Sequence, residues 1–269
     1  MAYIKEYWTD KEKRAEQARK HTKEMTEKYS RCIGTSILAT KIYDTDYFEN
    51  IEFEEDIEEV NTEIIVEDID SVSAVMKYGD SKYINSNLAV LNFSSYKNPG
   101  GMFINGSKAQ EECLCHESFL YNVLKEFQLE FYDWNSRHKN KALYLNRGLF
   151  SKGVWFFRGN SHIECSVITC AAPNKSAAQK YQNVSDEENT KVLRSRIKFV
   201  LDMAKVNNVD TLILGAYGCG VFGQNPTEVA EIFKECLNTS HKNCFSKVIF
   251  AIPKGRDNNL QAFEKVFCS

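Results

Sequence analysis

An α/β fold follows from three observations on this 269-residue chain. Short apolar runs recur at strand length, longer runs with helical periodicity separate them, and two glycine-rich loops each join an apolar run to a helix start. About six strands with helices on both faces are expected, preceded by an N-terminal helical extension. With 43 % hydrophobic residues the chain can bury a full core, and no Pro/Gly/Ser-rich linker divides it. Residues 1–60 are read as the helical extension and an acidic loop, and 61–269 as one α/β domain.

The elements follow in order. Residues 10–29 are rich in Lys, Glu, Arg, Ala and Gln with acid–base pairs at helical spacing, which predicts an exposed amphipathic helix packed on the core. Residues 53–59 are densely acidic and read as a surface loop, and 62–66 open a β-branched run. Strands are expected at 88–93, 154–157, 166–171, 211–214 and 247–252. Helices are expected at 107–130, 187–206, 226–237 and 258–267.

Composition excludes several classes. A net charge of -3 argues against a protein held to nucleic acid by phosphate neutralisation, although a local basic patch remains compatible with it. The opening Met-Ala-Tyr-Ile-Lys-Glu-Tyr-Trp lacks an apolar signal core, and no run approaches the roughly 18 apolar residues of a membrane span, so a soluble, cytoplasmic protein is expected. Nine cysteines form an odd set in which only Cys113 and Cys115 are close, which fits reduced thiols. His116 beside that pair does not complete a zinc pattern, so neither metal nor cofactor is expected.

The most informative stretch runs from Asn92 to Glu112, where an apolar strand passes through Gly100-Gly101 to Gln110-Glu111-Glu112 at a helix start. Such a loop brings backbone N–H groups close to a phosphate, and acids at the helix start can meet an attached sugar. Ser107 with Gln110 three residues on reads as a capping box, which by itself accounts for acids in the first turn. By helical phase Glu112 lies on the stripe of Phe119 and Val123, whereas Glu111 sits at its edge. Burial would raise the Glu112 pKa and the positive helix end would lower it. Glu112 is therefore the better acid/base candidate.

The second loop follows the strand at 211–214 and reads Gly215-Ala-Tyr-Gly-Cys-Gly-Val-Phe-Gly223, before a helix start at Asn225-Pro226 with Glu228. Residues Gly218 to Gly223 match GxGxxG, but no acid for a ribose hydroxyl ends the next strand, and no Walker lysine is present. Phe222 either stacks on a sugar or base face or plugs the core beneath the loop.

Together the two loops resemble the macrodomains, and specifically the microbial type of poly(ADP-ribose) glycohydrolase. The match consists of Gly100-Gly101-Met102, seven residues, then Gln110-Glu111-Glu112. It continues through Leu114, Ser118, Leu120 and Tyr121, Phe150-Ser151 with Val154, Val167 to Pro173, Leu214 to Gly223, and Phe250-Ala251-Ile252. The resemblance implies a macrodomain fold, a three-layer sandwich whose central mixed sheet is flanked by helices, with ADP-ribose bound over the strand ends. It implies that Glu112 is catalytic and that Glu111 holds the neighbouring ribose. Gly100 and Gly101 would approach the distal ribose and diphosphate. Gly218, Cys219, Gly220 and Val221 would wrap the diphosphate, Phe222 would pack at the distal ribose, and Ser95 and Asn98 would contact sugar.

The implied reaction is cleavage of a ribose–ribose O-glycosidic bond in poly(ADP-ribose), or of a related ADP-ribosyl linkage. One glutamate would act as general acid and then as general base, with no metal. The implied partner is ADP-ribose, its polymer or an ADP-ribosylated macromolecule, with no membrane and no strong nucleic-acid binding. Two departures stand out: Met102 replaces a third glycine and is expected to limit positive φ and close backbone approach, and His116-Glu117 replaces commonly basic residues. The alternative reading is a non-catalytic ADP-ribose reader, which Met102 favours.

Overall fold

The computed structural model describes residues 6–49, 51, 61–79, 87–255 and 257–268. The acidic run at 53–59 lies outside them. In chain order the elements are α1 (Lys11–Ala39), β1 (Lys41–Tyr43), β2 (Glu63–Glu67), α2 (Ser71–Tyr78), β3 (Leu88–Phe93), α3 (Gln110–His116), α4 (Leu120–Leu124) and α5 (Trp134–Arg137). The second half holds β4 (Gly148–Arg158), β5 (Ser161–Cys170), α6 (Lys175–Gln182), α7 (Asp186–Val206), β6 (Thr211–Leu214), α8 (Pro226–Asn238), β7 (Lys247–Ala251) and α9 (Asn259–Phe267).

The strands form one seven-stranded mixed sheet in the order β1-β4-β5-β3-β6-β7-β2. From β5 to β2 all neighbours are parallel, so five strands end along one edge, while β4 runs antiparallel to both β5 and β1. Alternation within β3 separates the two cores. Ala89 and Leu91 face α7, α8 and α9, and Leu88 and Val90 face α1, α2, α3 and α4. The result is helix, sheet, helix in three layers.

Helix α1 is capped by Asp10, whose side chain accepts from Lys13 N, and it runs ten residues past the expected end with a break in helical dihedrals at Tyr29. Its exposed ion pairs, Lys20–Glu24 and Lys23–Glu27, are worth only about 0.3–0.5 kcal/mol each. Burial of Met25 and Ile33, at about 1.5–3 kcal/mol per side chain, holds it more strongly. Buried Arg14 donates from Nε to the Gly106 carbonyl (2.7 Å), tying the helix to the end of the first glycine loop. Asn122 Nδ2 donates to the Thr22 carbonyl and Thr26 Oγ1. The expected division at residue 60 falls between β1 and β2, which share one sheet, and α1 shares a core with β3.

The expected continuous helix over 107–130 is instead α3, α4, a 3-10 turn at Lys125–Phe127 and a π-helical turn at Gln128–Asp133. Ser118 Oγ donates to the Leu114 carbonyl (2.6 Å) and accepts from Leu120 N, turning the chain between α3 and α4. Helices α2 and α6, eight residues each, carry too few turns for a periodic signal; Asp70 and Asn174 cap them. Among the described residues no helix is long and apolar enough to cross a membrane.

Candidate active site

The site lies at the edge where the five parallel strands end. Gln110 fastens α3 there. Its Oε1 accepts from Phe93 N (2.9 Å), and its Nε2 donates to the Leu91 carbonyl (2.8 Å) and Ser71 Oγ (3.1 Å). This corrects the expected capping box. With Gln110 engaged on β3, the N-cap is Ala109, whose N–H donates to Glu112 Oε2 (2.8 Å), and Ser107 lies before the helix. Alanine has no side-chain acceptor, so half of a capping box is present.

Both glutamates are buried, Glu111 at 3 % and Glu112 at 6 % exposure. Glu111 Oε2 accepts from Ser95 N (2.7 Å) and its Oε1 from Asn92 Nδ2 (3.1 Å). Glu112 Oε1 accepts from Met102 N (2.9 Å). Desolvation pushes the Glu111 carboxyl up to about 8, against the opposing pull of the Ser95 N–H and the Asn92 amide. Helical phase had placed Glu111 at the edge of the apolar stripe; the structure buries it slightly deeper than Glu112, because β3 and the 94–98 turn cover it.

The glycine corner explains the pair's geometry. Gly100 and Gly101 both have positive φ (63° and 61°), and a Cβ on Gly101 would stand 2.6 Å from Glu112 Oε1 and 2.9 Å from Glu111 Oε2. Both carboxyl groups thus crowd one point beneath the loop. Met102 has φ -111° and ψ 31°, which any residue adopts, and its N–H holds Glu112 Oε1 while that of Ala109 holds Oε2. The expected backbone penalty at Met102 is therefore absent, and its side chain is 46 % exposed. His116 is buried against the rings of Trp8 and Phe103, and Glu117 pairs with Arg158 (2.9 Å).

Ser95 Oγ accepts from the N–H groups of Lys97 and Asn98, so its hydroxyl shapes the turn on which exposed Asn98 sits. Across the cleft, Gly218 has φ +77° and packs where a Cβ would meet Ala172 Cβ at 2.8 Å. Cys219 N donates to the Ala216 carbonyl, Gly223 N to that of Gly220, and Gln224 N to that of Gly218. Among the described residues no acceptor engages the N–H groups of Gly220, Val221 and Phe222. These three consecutive amides are left without a protein acceptor among those residues. Val221 is 91 % exposed, while half-buried Phe222 packs with Tyr96, Tyr144 and Ala171. Burial raises the Cys113 and Cys219 thiols to about 12, so neither is a thiolate at neutral pH.

One component was not anticipated. A pocket of about 260 Å³ opens beside the carboxyl pair, lined by Asp70, Ser71, Phe93, Ala216, Ile252 and Pro253. It gathers residues from four separate strand ends, and the rule that ligands bind beyond the carboxyl ends of parallel strands was the available signal. Neither Glu111 nor Glu112 lines it; Gln110 connects the two.

Residues 8–159, more than half of the chain, match the family model described as microbial-type PARG, catalytic domain. The chain belongs to that family. Poly(ADP-ribose) glycohydrolase (PARG) from Thermomonospora curvata is similar in structure with a TM-score of 0.84, at 28 % identity over 95 % of this chain and 100 % of that chain. The same enzyme bound to the inhibitor ADP-HPD gives 0.82, at 28 % identity over the same shares. PARG from Deinococcus radiodurans in complex with ADP-ribose gives 0.76, at 30 % identity over 87 % of this chain and 96 % of that chain. A search of curated proteins returned no significant match. Membership of the PARG family accounts for the mixed sheet flanked by helices and makes this chain an enzyme of the glycohydrolase class.

Proposed function

We propose that this chain hydrolyses the ribose–ribose O-glycosidic bond of poly(ADP-ribose), or a related ADP-ribosyl linkage, and releases ADP-ribose. The observation that carries the reading is the buried Glu111–Glu112 pair held beneath a glycine corner, opposite three unengaged amides. A diphosphate fits the amides of Gly220, Val221 and Phe222, to which Gly218 and Cys219 give their turn. A purine fits the pocket beside Phe93, with Asp70 and Asp257 at its rim as acceptors. The distal ribose then lies over Gly100 and Gly101, with Ser95, Asn98 and Phe222 around it and Glu111 accepting from a hydroxyl.

Burial raises the Glu111 carboxyl to about 8, so that group holds a proton at neutral pH and leaves Glu112 beside a neutral neighbour. Glu112 acts as the general acid, donating a proton to the glycosidic oxygen as the anomeric C–O bond breaks. The oxocarbenium-like centre is stabilised by the ligand's own diphosphate and by Glu112, which is left as a carboxylate once its proton is given up. Water adds to the anomeric carbon, and Glu112 takes its proton, restoring the starting state. The binding unit spans α1 through α9, since α1 buttresses the first glycine loop through Arg14.

Incubation of wild-type protein with labelled poly(ADP-ribose) and chromatography of the products tests this reading. ADP-ribose is the expected product. Binding of ADP-ribose by calorimetry without any release from polymer would favour a reader, and no binding at all would refute the assignment of the cleft.

A further inference from the structure

Although the chain carries a net charge of -3, four of the five residues at 137–141 are basic or imidazole: Arg137, His138, Lys139 and Lys141. All five are exposed. Among the described residues Lys141 pairs with Glu188 (3.1 Å), while no carboxylate pairs with Arg137 or Lys139.

This segment is fixed to the substrate loop rather than lying loose beside it. Tyr96 Oη donates to the His138 carbonyl (2.9 Å), Asn135 Nδ2 donates to the Tyr96 carbonyl (2.9 Å), and Tyr144 N donates to the Lys139 carbonyl (3.1 Å). The rings of Tyr96 and Tyr144 stack at 4.1 Å, and Tyr144 meets Phe222 edge-on at 6.1 Å. Asn140, Lys141, Ala142 and Tyr144 all hold positive φ, a conformation that L-residues adopt only when their surroundings impose it. His138 stacks on Trp134 at 3.8 Å, and Trp134 is braced by the Arg147 guanidinium at 4.3 Å.

Strand order gives the segment its place along the cleft. The base pocket lies toward β6 and β7, the carboxyl pair sits beside β3, and Phe222 packs on Ala171 just past the end of β5. The next strand is β4, which begins at Gly148 opposite Cys170, and residues 137–147 lead into it. If the bound unit runs from base pocket to distal ribose, the group attached to that ribose leaves over this segment. In the polymer that group is another ADP-ribose unit, carrying a diphosphate.

The geometry points to Arg137 and Lys139, assisted by Lys141, as a polymer subsite that binds the diphosphate of the ADP-ribose unit on the leaving side. It rests on the polymer-cleaving reading above, and it makes poly(ADP-ribose) a better substrate than a single ADP-ribosyl group on protein. The interaction is electrostatic and exposed, so it acts on the Michaelis constant and its salt dependence, not on the chemical step.

The test is the full-length double variant Arg137→Ala/Lys139→Ala compared with wild type on long poly(ADP-ribose). The expected result is a KM raised about tenfold at moderate salt, with a slope of log KM against log salt lower by about 1.4, from two phosphate contacts at roughly 0.7 each. The kcat and the calorimetric Kd for free ADP-ribose stay within about twofold, since neither depends on this contact. The charge-retaining Arg137→Lys/Lys139→Arg variant is expected to keep the wild-type KM, and matching urea midpoints exclude a folding defect. An unchanged KM and salt slope in the alanine variant would overturn the subsite while leaving the glycohydrolase reading intact. Wild type that cleaves no polymer would overturn both. A single-stranded oligonucleotide of equal phosphate number that competes with polymer as strongly as polymer itself would mark a nucleic-acid surface instead, and would also overturn it.

Discussion

Gly101→Ala isolates the contact on which the site is built. At φ +61° an alanine costs about 1–2 kcal/mol more than glycine. The added methyl would also lie 2.6 Å from Glu112 Oε1 and 2.9 Å from Glu111 Oε2, well inside ordinary contact, and both side chains are buried with no solvent to swing into. Relief requires Glu112 to leave the Met102 N–H, a charge-assisted bond worth about 1.5–3 kcal/mol. The total is a destabilisation of about 2.5–5 kcal/mol, with loss of most polymer turnover because Glu112, the proposed acid/base, is displaced. Gly159→Ala, between β4 and β5 at the same φ of +61°, is the control, since a Cβ there meets nothing within 4 Å. Urea unfolding and initial rates on poly(ADP-ribose) read both quantities. A Gly101→Ala protein as stable and as active as Gly159→Ala would refute the crowding of the carboxyl pair at this point.

Other outcomes follow from single contacts. Because the folded-state pKa of Glu111, about 8, lies above its ordinary 4.5, the folded protein holds the extra proton, and stability from this group falls as pH rises between those values. The slope is about 1.4 kcal/mol per pH unit, and Glu111→Gln should flatten it; parallel urea-midpoint profiles for the two proteins would contradict the assignment. Met102→Gly is expected to leave folding and ADP-ribose affinity within about 1 kcal/mol, since φ -111° needs no glycine and the N–H to Glu112 survives; calorimetry and urea melts check this. Gly106→Ala would drive a Cβ to 2.1 Å from the Lys11 carbonyl at φ +78°, prising α1 from the first loop, and limited proteolysis should then cut α1 faster than in wild type.

Legibility in the sequence tracked how local each feature is. The strands at 88–93 and 211–214 were read with their observed bounds because continuous apolar runs flanked by turn residues identify buried strands. Strand β1, at three residues, and the eight-residue helices α2 and α6 carry too short a pattern to register. The glutamate pair was visible because its loop and helix are contiguous, yet the cap was misplaced by two residues. The Ser107–Gln110 spacing is a box in sequence, but Gln110 instead reaches Phe93 N and the Leu91 carbonyl, contacts 17 and 19 residues away in the chain. The pocket beside Phe93 was hidden for the same reason, being assembled from α2, β3, β6 and β7. Of the two readings offered for Phe222, the packing one has a counterpart in the structure, since the ring is half-buried on Tyr96, Tyr144 and Ala171. Met102 misled because a missing glycine was read as a missing conformation, whereas only the two preceding residues use positive φ.

The central claim, that Glu112 carries the proton, is tested most directly by kcat on saturating poly(ADP-ribose) for wild type and Glu112→Gln, with the Kd for ADP-ribose measured on the same preparations. The amide keeps an acceptor for the Met102 N–H but cannot donate or accept the catalytic proton. A fall in kcat of about 10²–10⁴ with ADP-ribose affinity retained is the predicted result. A variant that turns over polymer at the wild-type rate would contradict it.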